Sequence, residues 1–579
     1  MPKTTLSPRF LLAGVLLLAL ALRAWGLTWG LPSALHYFSY HPDESVVLEH
    51  ACSPLGMNVF SGRLLPHFYN YGSLQLYLVC FANTLAALVG AVDIVPKNYP
   101  QIGDWYPEWA KMYLVGRMLT VGMGVGTVWT VYALGLRLWG RRAGLLAALT
   151  LALMPLHAQH SHFLTVDVPA AFWGTLSLLW AARLQSGTPR PFRAALLAGL
   201  FAGLAAATKY NMALALLPVV AGAWMSAPAA PPAPKSGPAL RGGVAILTFA
   251  LAFLAACPGA VLERARFLAD LRAEAVHVQN ANDPTFRDTG NGFVYHVTHN
   301  LDAGLGLPLL LLALVSVGYA VYRRERGDGL LAAFALPYYV LISLAAVRYA
   351  RYTIPLLPIL ALWVGRLLAD WSRLPRPAVR RLAVVSSAGA LAWTLAASFL
   401  LVKVMSEPDT RDEALAYVRS HAPAHPTVGF PAMPWFQTAS ISPYFSYYQR
   451  GGWRRLTPAS EAKRYVYAGE DWDLSLLKST NPDYVILSEY DYNDALRRRD
   501  PKALAYVDYL RDSHHNLYFW DIAYSPDELA LPKWVGEEET AEKPWIQVLQ
   551  TRDLPHDMLY PSPMIYVFSH TPPMDGARE

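Results

Sequence analysis

Cysteine and charge are the two things that this sequence has little of. Its 579 residues include three cysteines, Cys52, Cys80 and Cys257, which are too scattered for a disulfide framework or a recognisable metal-ligand spacing. Only 16% of the residues are charged, whereas 54% are hydrophobic. The formal charge of +6 comes mainly from short basic segments between apolar runs, so it does not indicate nucleic acid binding. Ordinary apolar packing is expected for the cysteines.

The sequence has instead a series of apolar runs close to the ~20 residues that span the hydrocarbon of a bilayer. The first run is too long for a signal peptide, and no small-residue cleavage site closes it. The runs lie near residues 10–29, 72–92, 112–138, 143–158, 166–182, 194–208, 211–226, 242–259, 303–322, 329–347, 353–369 and 382–402. The sequence therefore predicts a polytopic, mainly α-helical membrane protein.

Short basic loops predict the orientation of this helical part. They contain Arg141 and Arg142; Arg183, Arg190 and Arg193; Lys235 and Arg241; Arg323, Arg324 and Arg326; and Arg373, Arg376, Arg380 and Arg381. By the positive-inside rule these loops and the N-terminus face the cytoplasm, which requires that segment 72–92 lies in the outer interface instead of crossing. About eleven crossings result. The predicted transmembrane domain covers residues 1–405, with external loops 31–111 and 260–302.

After residue 405 the apolar runs stop, and we expect a small extracytoplasmic α/β domain over residues 406–579. A capped amphipathic helix and strands are predicted within residues 409–430, 481–488 and 563–570. The aromatic segment 430–456 is predicted either to close over a substrate or to pack against the membrane domain. Packing is favoured for most of it.

Adjacent acids follow the first apolar run, in the segment HPDE at residues 41–44. Asp43 and Glu44 come after a proline, where an interfacial helix is predicted to begin. Helix capping is the simple interpretation of Asp43. Its predicted position near the bilayer surface, among histidines and tyrosines, also suits a carboxylate that accepts a proton from an incoming hydroxyl.

A second polar cluster is predicted on the same outer side, in HAQHSHFLTVD at residues 157–167. His157, His160 and His162 lack the H-E-x-x-H pattern and a cysteine partner, which favours interfacial polar capping over a zinc site. Asp167 lies at a predicted helix start. Capping and a functional role are both open for it.

Cations accompany these acids. Lys209 interrupts an apolar hairpin, where a lysine is costly unless it meets an anion or snorkels to water. Arg348 and Arg351 lie three residues apart, as suits phosphate binding, with lipid headgroup anchoring as the alternative; Arg117 has the same two interpretations. A base and several cations on one face fit attack by a hydroxyl or amine on a sugar whose leaving group is a lipid-linked phosphate.

These segments resemble the GT-C superfamily of integral membrane glycosyltransferases. The branch is the bacterial one related to dolichyl-phosphate-mannose protein mannosyltransferases and the aminoarabinose lipid A transferase. The resemblance is carried, over much of residues 30–370, by HPDE, HFYNYGSLQLYL, residues 113–173, GLFAGLAAATKYN and RYARYTIPLLPILAL. It implies a GT-C-like transmembrane fold and transfer of a sugar, with inversion, from a polyprenyl-phosphate-linked donor.

The resemblance also implies roles for single residues. Asp43 is implied to be the catalytic base, Glu44 to shape the acceptor site, and Asp167 to belong to a second acidic position. The implied contacts of the donor phosphate are Arg117, Lys209, Arg348 and Arg351. Further candidates for the substrate site are His67, Tyr69, His160 and His162. Some relatives have Lys-Pro-Pro or His-Pro-Pro where this chain has HFYNYGSL, so a phosphate contact by His67 stays open.

The implied partners are the lipid-linked donor, the membrane, and a lipid, glycan or protein acceptor, without nucleic acid. The implied location is the plasma (inner) membrane. Metal use varies within the superfamily; a divalent metal is compatible with the resemblance, and no ligand set is assigned. A transporter or lipid flippase is the main alternative, and a non-catalytic scaffold is a third. A transporter predicts internal repeats and midplane charges, whereas here the polar residues gather at one face without an obvious repeat.

Overall fold

The structure is a computed structural model that describes residues 8–53, 56–94, 105–225, 237–281, 283–421, 427–432, 434–439, 472–513, 515–519, 554–561 and 563–569. The chain forms two compact units. The first unit comprises Met1–Leu27, Val46–Val95 and Val115–Val402. The second unit comprises Thr28–Ser45, Pro96–Leu114 and Lys403–Glu579. The assignment of residues 1–405 and 406–579 to a transmembrane and an extracytoplasmic domain stays a prediction.

Helices dominate the part of the chain before residue 405, as the sequence predicts. They are α1 (Pro8–Ala24), α2 (Pro42–Ala51), α3 (Leu74–Leu88), α4 (Tyr106–Trp139), α5 (Arg141–Leu153), α6 (Pro155–His160), α7 (Asp167–Gln185), α8 (Pro191–Thr208), α9 (Leu216–Trp224), α10 (Pro238–Ala256), α11 (Gly259–Leu262), α12 (Arg264–Val278), α13 (Gly292–Tyr295), α14 (Asp302–Leu305), α15 (Leu307–Arg323), α16 (Arg326–Leu344), α17 (Leu357–Trp371) and α18 (Pro377–Val404). Tighter or wider helical turns lie at Val59–Ser61, Tyr210–Ala215, His296–Leu301 and Ala350–Leu356.

Among the described residues, six helical segments are long and apolar enough to cross a membrane: α4, α8, α10, α16, α18, and α17 with the turn that precedes it. The apolar helix α3 has 15 residues. At the rise of an α-helix it measures only ~22 Å, which is less than the ~30 Å of a hydrocarbon core. That segment 72–92 does not cross stays a prediction. The total of about eleven crossings stays a prediction.

The helices of the first unit pack through small residues. A Cβ added to Gly199 of α8 would lie 2.2 Å from the carbonyl oxygen of Ala245 in α10, and one added to Gly203 would lie 2.4 Å from that of Phe249. Lipid tails are as apolar as the side chains, so close backbone approach and dispersion stabilise such a pair. Small residues at these two positions allow α8 and α10 to meet.

Regular helix stops where polar residues occur. After α8 ends, Lys209 takes an extended conformation (φ −148, ψ 123), and the chain continues as the short turn Tyr210–Ala215. The turn Ala350–Leu356 contains Pro355, which lacks the N–H of a regular helical bond. Both turns pack against α7. The breaks therefore gather polar side chains at one place.

The second unit contains a four-stranded sheet of order β1-β2-β4-β3. The strands are β1 (Val428–Gly429), β2 (Tyr484–Ser488), β3 (His515–Phe519) and β4 (Ile565–Ser569). β1 is parallel to β2, and β4 is antiparallel to β2 and β3. The helices are α19 (Thr410–His421), α20 (Leu474–Thr480), α21 (Glu489–Arg497) and α22 (Pro501–Ser513). The predicted α/β character is confirmed. The predicted aromatic segment 430–456 lies outside the described residues beyond residue 439.

Helices cover both faces of this sheet. Val485 and Leu487 pack with α20, α21 and α22, whereas Tyr484 and Ile486 pack with α19. Successive strand side chains point to opposite faces, so a strand that is covered on both sides is apolar at every position. The apolar run YVIL in β2 has this origin.

Candidate functional site

Asp167 and Lys209 form a buried ion pair in the first unit. The Lys209 Nζ lies 2.6 Å from Oδ1 of Asp167, and the two side chains are 15% and 3% exposed. α7 begins at Asp167, whose carboxylate meets this ammonium, and the cap position before it makes no side-chain cap bond. Asp167 therefore pairs with Lys209 and does not occupy the cap position of α7.

Arg351 adds a second positive charge to this pair. It is near enough to act electrostatically on the Asp167 carboxylate. Its guanidinium carbon lies 3.9 Å from the centre of the Tyr349 ring, and Lys209 Nζ lies 4.7 Å from that of Tyr352. Two cations lie near this carboxylate, and aromatic faces stabilise cations. This cluster of Asp167, Lys209 and Arg351, which we call the cationic cluster, can bind an anion.

Arg348 and Arg351 have different neighbours. The Nη1 of Arg348 donates to the Thr289 hydroxyl and the Gly290 carbonyl, both at 2.8 Å, and its Nε donates to the Ala345 carbonyl at 3.3 Å. Burial lowers the pKa of Arg348. Arg348 thus holds the loop before α13 in place. Arg351 lies near Asp167.

Arg117 and His162, both predicted for the substrate site, are fully buried. Arg117 donates to the Leu27 carbonyl at 2.7 Å. The ring nitrogens of His162 lie 2.9 Å from the carbonyls of Ala158 and Trp25. Burial lowers the pKa of His162 to about 4, against the opposing effect of these carbonyls, so the ring is neutral at pH 7. These bonds are to backbone carbonyls. The donor-phosphate role of Arg117 and the substrate-site role of His162 stay predictions.

His160 is also buried and interacts electrostatically with Asp167. Its ring lies edge-on to that of Phe163. In the part of the chain that the structure describes, no three His, Cys, Asp or Glu side chains are grouped so that they could hold a metal ion. His160 therefore lies near the cationic cluster, and among the described residues it belongs to no group that could hold a metal ion.

His67 and Tyr69 meet at an acid that the sequence analysis missed. The His67 Nδ1 lies 2.6 Å from Oε1 of Glu263, and the Tyr69 hydroxyl donates to the same carboxylate. The Tyr69 N–H donates to Asp270 at 2.8 Å. Burial alone would raise the pKa of Glu263, but the bonds from Tyr69 and His67 keep it below its usual value. The available signal was position, since Glu263 lies in the loop 260–302 that the sequence predicts to be external.

Arg23 is a second residue that the sequence analysis missed. It is fully buried at the end of α1, and it donates to the carbonyls of Leu151 and Ala152 at 3.2 and 3.1 Å and to Nδ1 of His157 at 3.0 Å. The last carbonyls of a helix lack intrahelical partners. Arg23 supplies those partners to the end of α5, and His157 has this structural contact.

Asp43 and Glu44 lie in the second unit and differ in exposure. α2 begins at Pro42, so Asp43 belongs to its first turn and not to the N-cap position that the capping interpretation gave it. The N–H of Asp43 donates to Nδ1 of His41 at 3.2 Å, because the histidine precedes the helix and takes the acceptor role of a cap. Asp43 is partly exposed, whereas Glu44 is fully buried and accepts a bond of 2.5 Å from the Ser39 hydroxyl.

Charged residues at the start of α19 lie near the loop at residues 28–41. Burial, and then the charge of Asp409, raise the pKa of Asp412 to about 6, although a bond from Tyr40 and the charge of Arg411 oppose this. The Nε2 of His36 lies 3.8 Å from Oδ2 of Asp412. Burial lowers the pKa of His36 to about 4. No pattern in the sequence pointed to this cluster, because its two parts, in the loop and at the start of α19, are more than 360 residues apart.

Solved structures similar to this chain have low identity to it. One is the archaeal oligosaccharyltransferase AglB from Archaeoglobus fulgidus in complex with an inhibitory peptide and a dolichol-phosphate, with 13% identity, a TM-score of 0.48, and coverage of 90% of this chain and 73% of that chain. Another is ArnT from Cupriavidus metallidurans bound to undecaprenyl phosphate, with 13% identity, a TM-score of 0.45, and coverage of 84% and 94%. A comparison with curated protein sequences finds no significant match.

A family comparison bears directly on the cationic cluster. Residues 81–265 match the sequence model of the family described as dolichyl-phosphate-mannose-protein mannosyltransferase. This segment contains Asp167 and Lys209, together with Arg117, His160 and His162. Over residues 81–265 the chain therefore carries the sequence pattern of this glycosyltransferase family, which confirms the resemblance seen in the sequence.

Proposed function

We propose that this protein transfers a sugar from a polyprenyl-phosphate-linked donor to an acceptor on the outer face of the plasma (inner) membrane. In this proposal the N-terminus is cytoplasmic and residues 406–579 are extracytoplasmic. The family match over residues 81–265 supports the transferase class. The positive-inside rule supports the orientation.

The cationic cluster is the observation that carries the proposal. Lys209 is bonded to Asp167, yet an ammonium has three N–H donors, so it can meet a phosphate oxygen without leaving its partner. Arg351 adds a second cation beside Asp167. A phosphate gains negative charge as it departs, and cations fixed in a low-dielectric site stabilise that charge.

The proposed step is a displacement with inversion. The acceptor oxygen or nitrogen forms a bond to the anomeric carbon while the bond from that carbon to the phosphate oxygen breaks. Asp43 takes the proton of the acceptor, and the polyprenyl phosphate leaves with the electron pair of the broken bond. Glu44 is buried and bonded to Ser39, so its proposed role is to shape the acceptor site instead of taking the proton.

Substitution of Asp43 tests this proposal. Asparagine keeps the size of the side chain but cannot accept the proton, so we expect Asp43→Asn to lower transfer by ~10² to 10⁴-fold. Glu44→Gln should lower it less. The measurement uses purified protein in nanodiscs with radiolabelled polyprenyl-phosphate hexoses and pentoses, and it follows release of polyprenyl phosphate and transfer of label to a lipid or glycan acceptor.

Asp288→Asn is the matched control. Asp288 is exposed and has a positive φ that asparagine also tolerates, so this variant should transfer at the wild-type rate. An Asp43→Asn protein that unfolds at the wild-type temperature and still transfers at the wild-type rate ends the assignment of Asp43 as the base.

A further inference from the structure

Arg411, a buried arginine of α19, is paired with Asp409, whose carboxylate is bonded to the loop at residues 28–41. The guanidinium of Arg411 makes two bonds of 2.6 Å to the Asp409 carboxylate, which also accepts a bond of 3.0 Å from Nε1 of Trp29. Arg411 also donates to the carbonyls of Phe436 and Tyr560 at 2.6 and 2.8 Å. A bidentate pair with further acceptors fixes the guanidinium in one geometry.

The same arginine contacts the loop through Tyr40. The guanidinium carbon of Arg411 lies 3.8 Å from the centre of the Tyr40 ring, and this ring also stacks on His36 at 3.9 Å. The Tyr40 hydroxyl donates to Oδ1 of Asp412 at 2.5 Å. Tyr40 is fully buried, and its N–H donates to the carbonyl of Gly30. Residues of α19 thus hold both the ring and the hydroxyl of one loop residue.

The two sequence neighbours of Tyr40, Ser39 and His41, are bonded to the first turn of α2, which contains the proposed base Asp43. The next residue, His41, packs its ring on that of Tyr560 at 4.4 Å. The Nδ1 of His41 accepts a hydrogen bond from the N–H of Asp43. The Ser39 hydroxyl donates a bond of 2.5 Å to the Glu44 carboxylate and so orients it. The residues on either side of Tyr40 therefore set the start of α2.

We propose that Tyr40 and Asp412, supported by Arg411, are positioning residues that hold the loop in the shape that presents Asp43. In this proposal α19, in the C-terminal part of the chain, affects the reaction through the loop at residues 28–41. This inference rests on the proposed function of Asp43. It makes Tyr40 and Asp412 contributors to turnover although neither touches the substrate in the proposal.

The conservative variant Tyr40→Phe tests the inference, because it removes the bond to Asp412 and keeps the ring against Arg411 and His36. In the full-length protein in nanodiscs, we expect kcat for sugar transfer to fall by about 10-fold to 100-fold, as a small displacement of a catalytic group does, with KM for the donor changed by less than about twofold. Asp412→Leu, which cannot accept that bond, should have the same effect. In the Asp43→Asn background the residual transfer should not fall further with Tyr40→Phe, because there is no base left to position.

Tyr506→Phe is the matched control, since Tyr506 is buried in α22 and packs on Trp472 of the same unit. It should leave kcat unchanged. Tyr40→Phe and Asp412→Leu proteins that keep the wild-type kcat while Asp43→Asn loses activity overturn the inference and leave the proposed function standing. A further loss on adding Tyr40→Phe to Asp43→Asn also overturns it, because a general structural effect is additive. An active Asp43→Asn protein overturns both.

Discussion

At the residue scale, the pair of Lys209 and Asp167 raises the question of why an ammonium is placed where a carboxylate already balances its charge. A buried ion pair seldom adds net stability, because the cost of removing both charges from water offsets their attraction. Losing one partner is different, since it leaves a charge buried alone. A structural pair and a phosphate-binding lysine therefore predict different outcomes for single and double substitutions.

We expect Lys209→Met to destabilise the protein by ~3–5 kcal/mol, because it leaves Asp167 buried without its partner. The double variant Lys209→Met with Asp167→Asn should recover most of that stability and still transfer sugar poorly, with a raised donor KM. Thermal unfolding and transfer assays on the single and double variants measure this. Lys403→Met, at an exposed lysine, is the control. If the double variant turns over like the wild type, the pair is only structural.

Two neighbouring groups of the second unit predict opposite responses to pH. The pKa of Asp412 is raised to about 6, so its contribution to stability is lost as pH rises through 6 and returns on acidification. The pKa of His36 is lowered to about 4, so its contribution is lost as pH falls from 6.5 towards 4. In the wild type these effects oppose each other.

Removing one group should expose the other. Acidification from pH 6.5 to 4.5 should destabilise Asp412→Asn more than the wild type, and His36→Gln less. Thermal unfolding of the three proteins at both pH values gives the comparison, and groups other than these two largely cancel in the difference. Identical pH dependence in all three proteins contradicts the assigned shifts.

At the scale of elements, helix α8 shows how small residues set the packing of the first unit. The carbonyls of α10 approach Gly199 and Gly203 so closely that a methyl group has no room. Gly243 of α10 is different, because nothing lies within 4 Å of a Cβ added there. Two glycine substitutions in adjoining helices should therefore act in opposite directions.

We expect Gly199→Ala to destabilise the protein by ~1–3 kcal/mol, since the two helix backbones must move apart. Gly243→Ala should be neutral or stabilising by up to ~1 kcal/mol, because alanine is the better helix former. Thermal unfolding in detergent ranks the two variants against the wild type. Equal melting temperatures for both variants contradict the close packing of α8 on α10.

Elements also show how far the sequence predicts this molecule. Apolar runs predicted the long helices, and the runs at residues 481–488 and 563–570 predicted β2 and β4, because hydrophobic period and length are local properties. The side of α7 that meets Lys209 was not predictable, since Asp167 lies 42 residues earlier. The bond from Tyr40 to Asp412 spans 372 residues. Such pairs depend on tertiary packing, which a single sequence does not display.

At the scale of the whole molecule, the predicted orientation depends on one short helix. If α3 crossed the membrane, every later basic loop would move to the outside, against the positive-inside rule. Its length is short for a crossing, and an uncharged helix of this kind can lie in the interface. The sidedness of the residues just after α3 therefore decides the sidedness of all that follows.

We expect Ala91→Cys, in a variant without the native cysteines, to react with a membrane-impermeant maleimide from the outside of intact cells. Asp288→Cys should react from the outside as well, and Arg324→Cys only after the membrane is opened. Labelling of Ala91→Cys from the cytoplasmic side alone contradicts the predicted topology. Lys97, a natural alternative position for the label, lies outside the described residues.

The bonds of Arg23 have a consequence for the order in which the helices take up their final positions during synthesis. Its acceptors, the carbonyls of Leu151 and Ala152, belong to a helix that the ribosome completes about 130 residues after α1. Until then an arginine at the end of α1 is without these partners, and placing it in the bilayer costs ~2.5–3.5 kcal/mol at the helix centre and less near the interface. We therefore expect Arg23, and with it the end of α1, to reach its final position only when α5 has been synthesised.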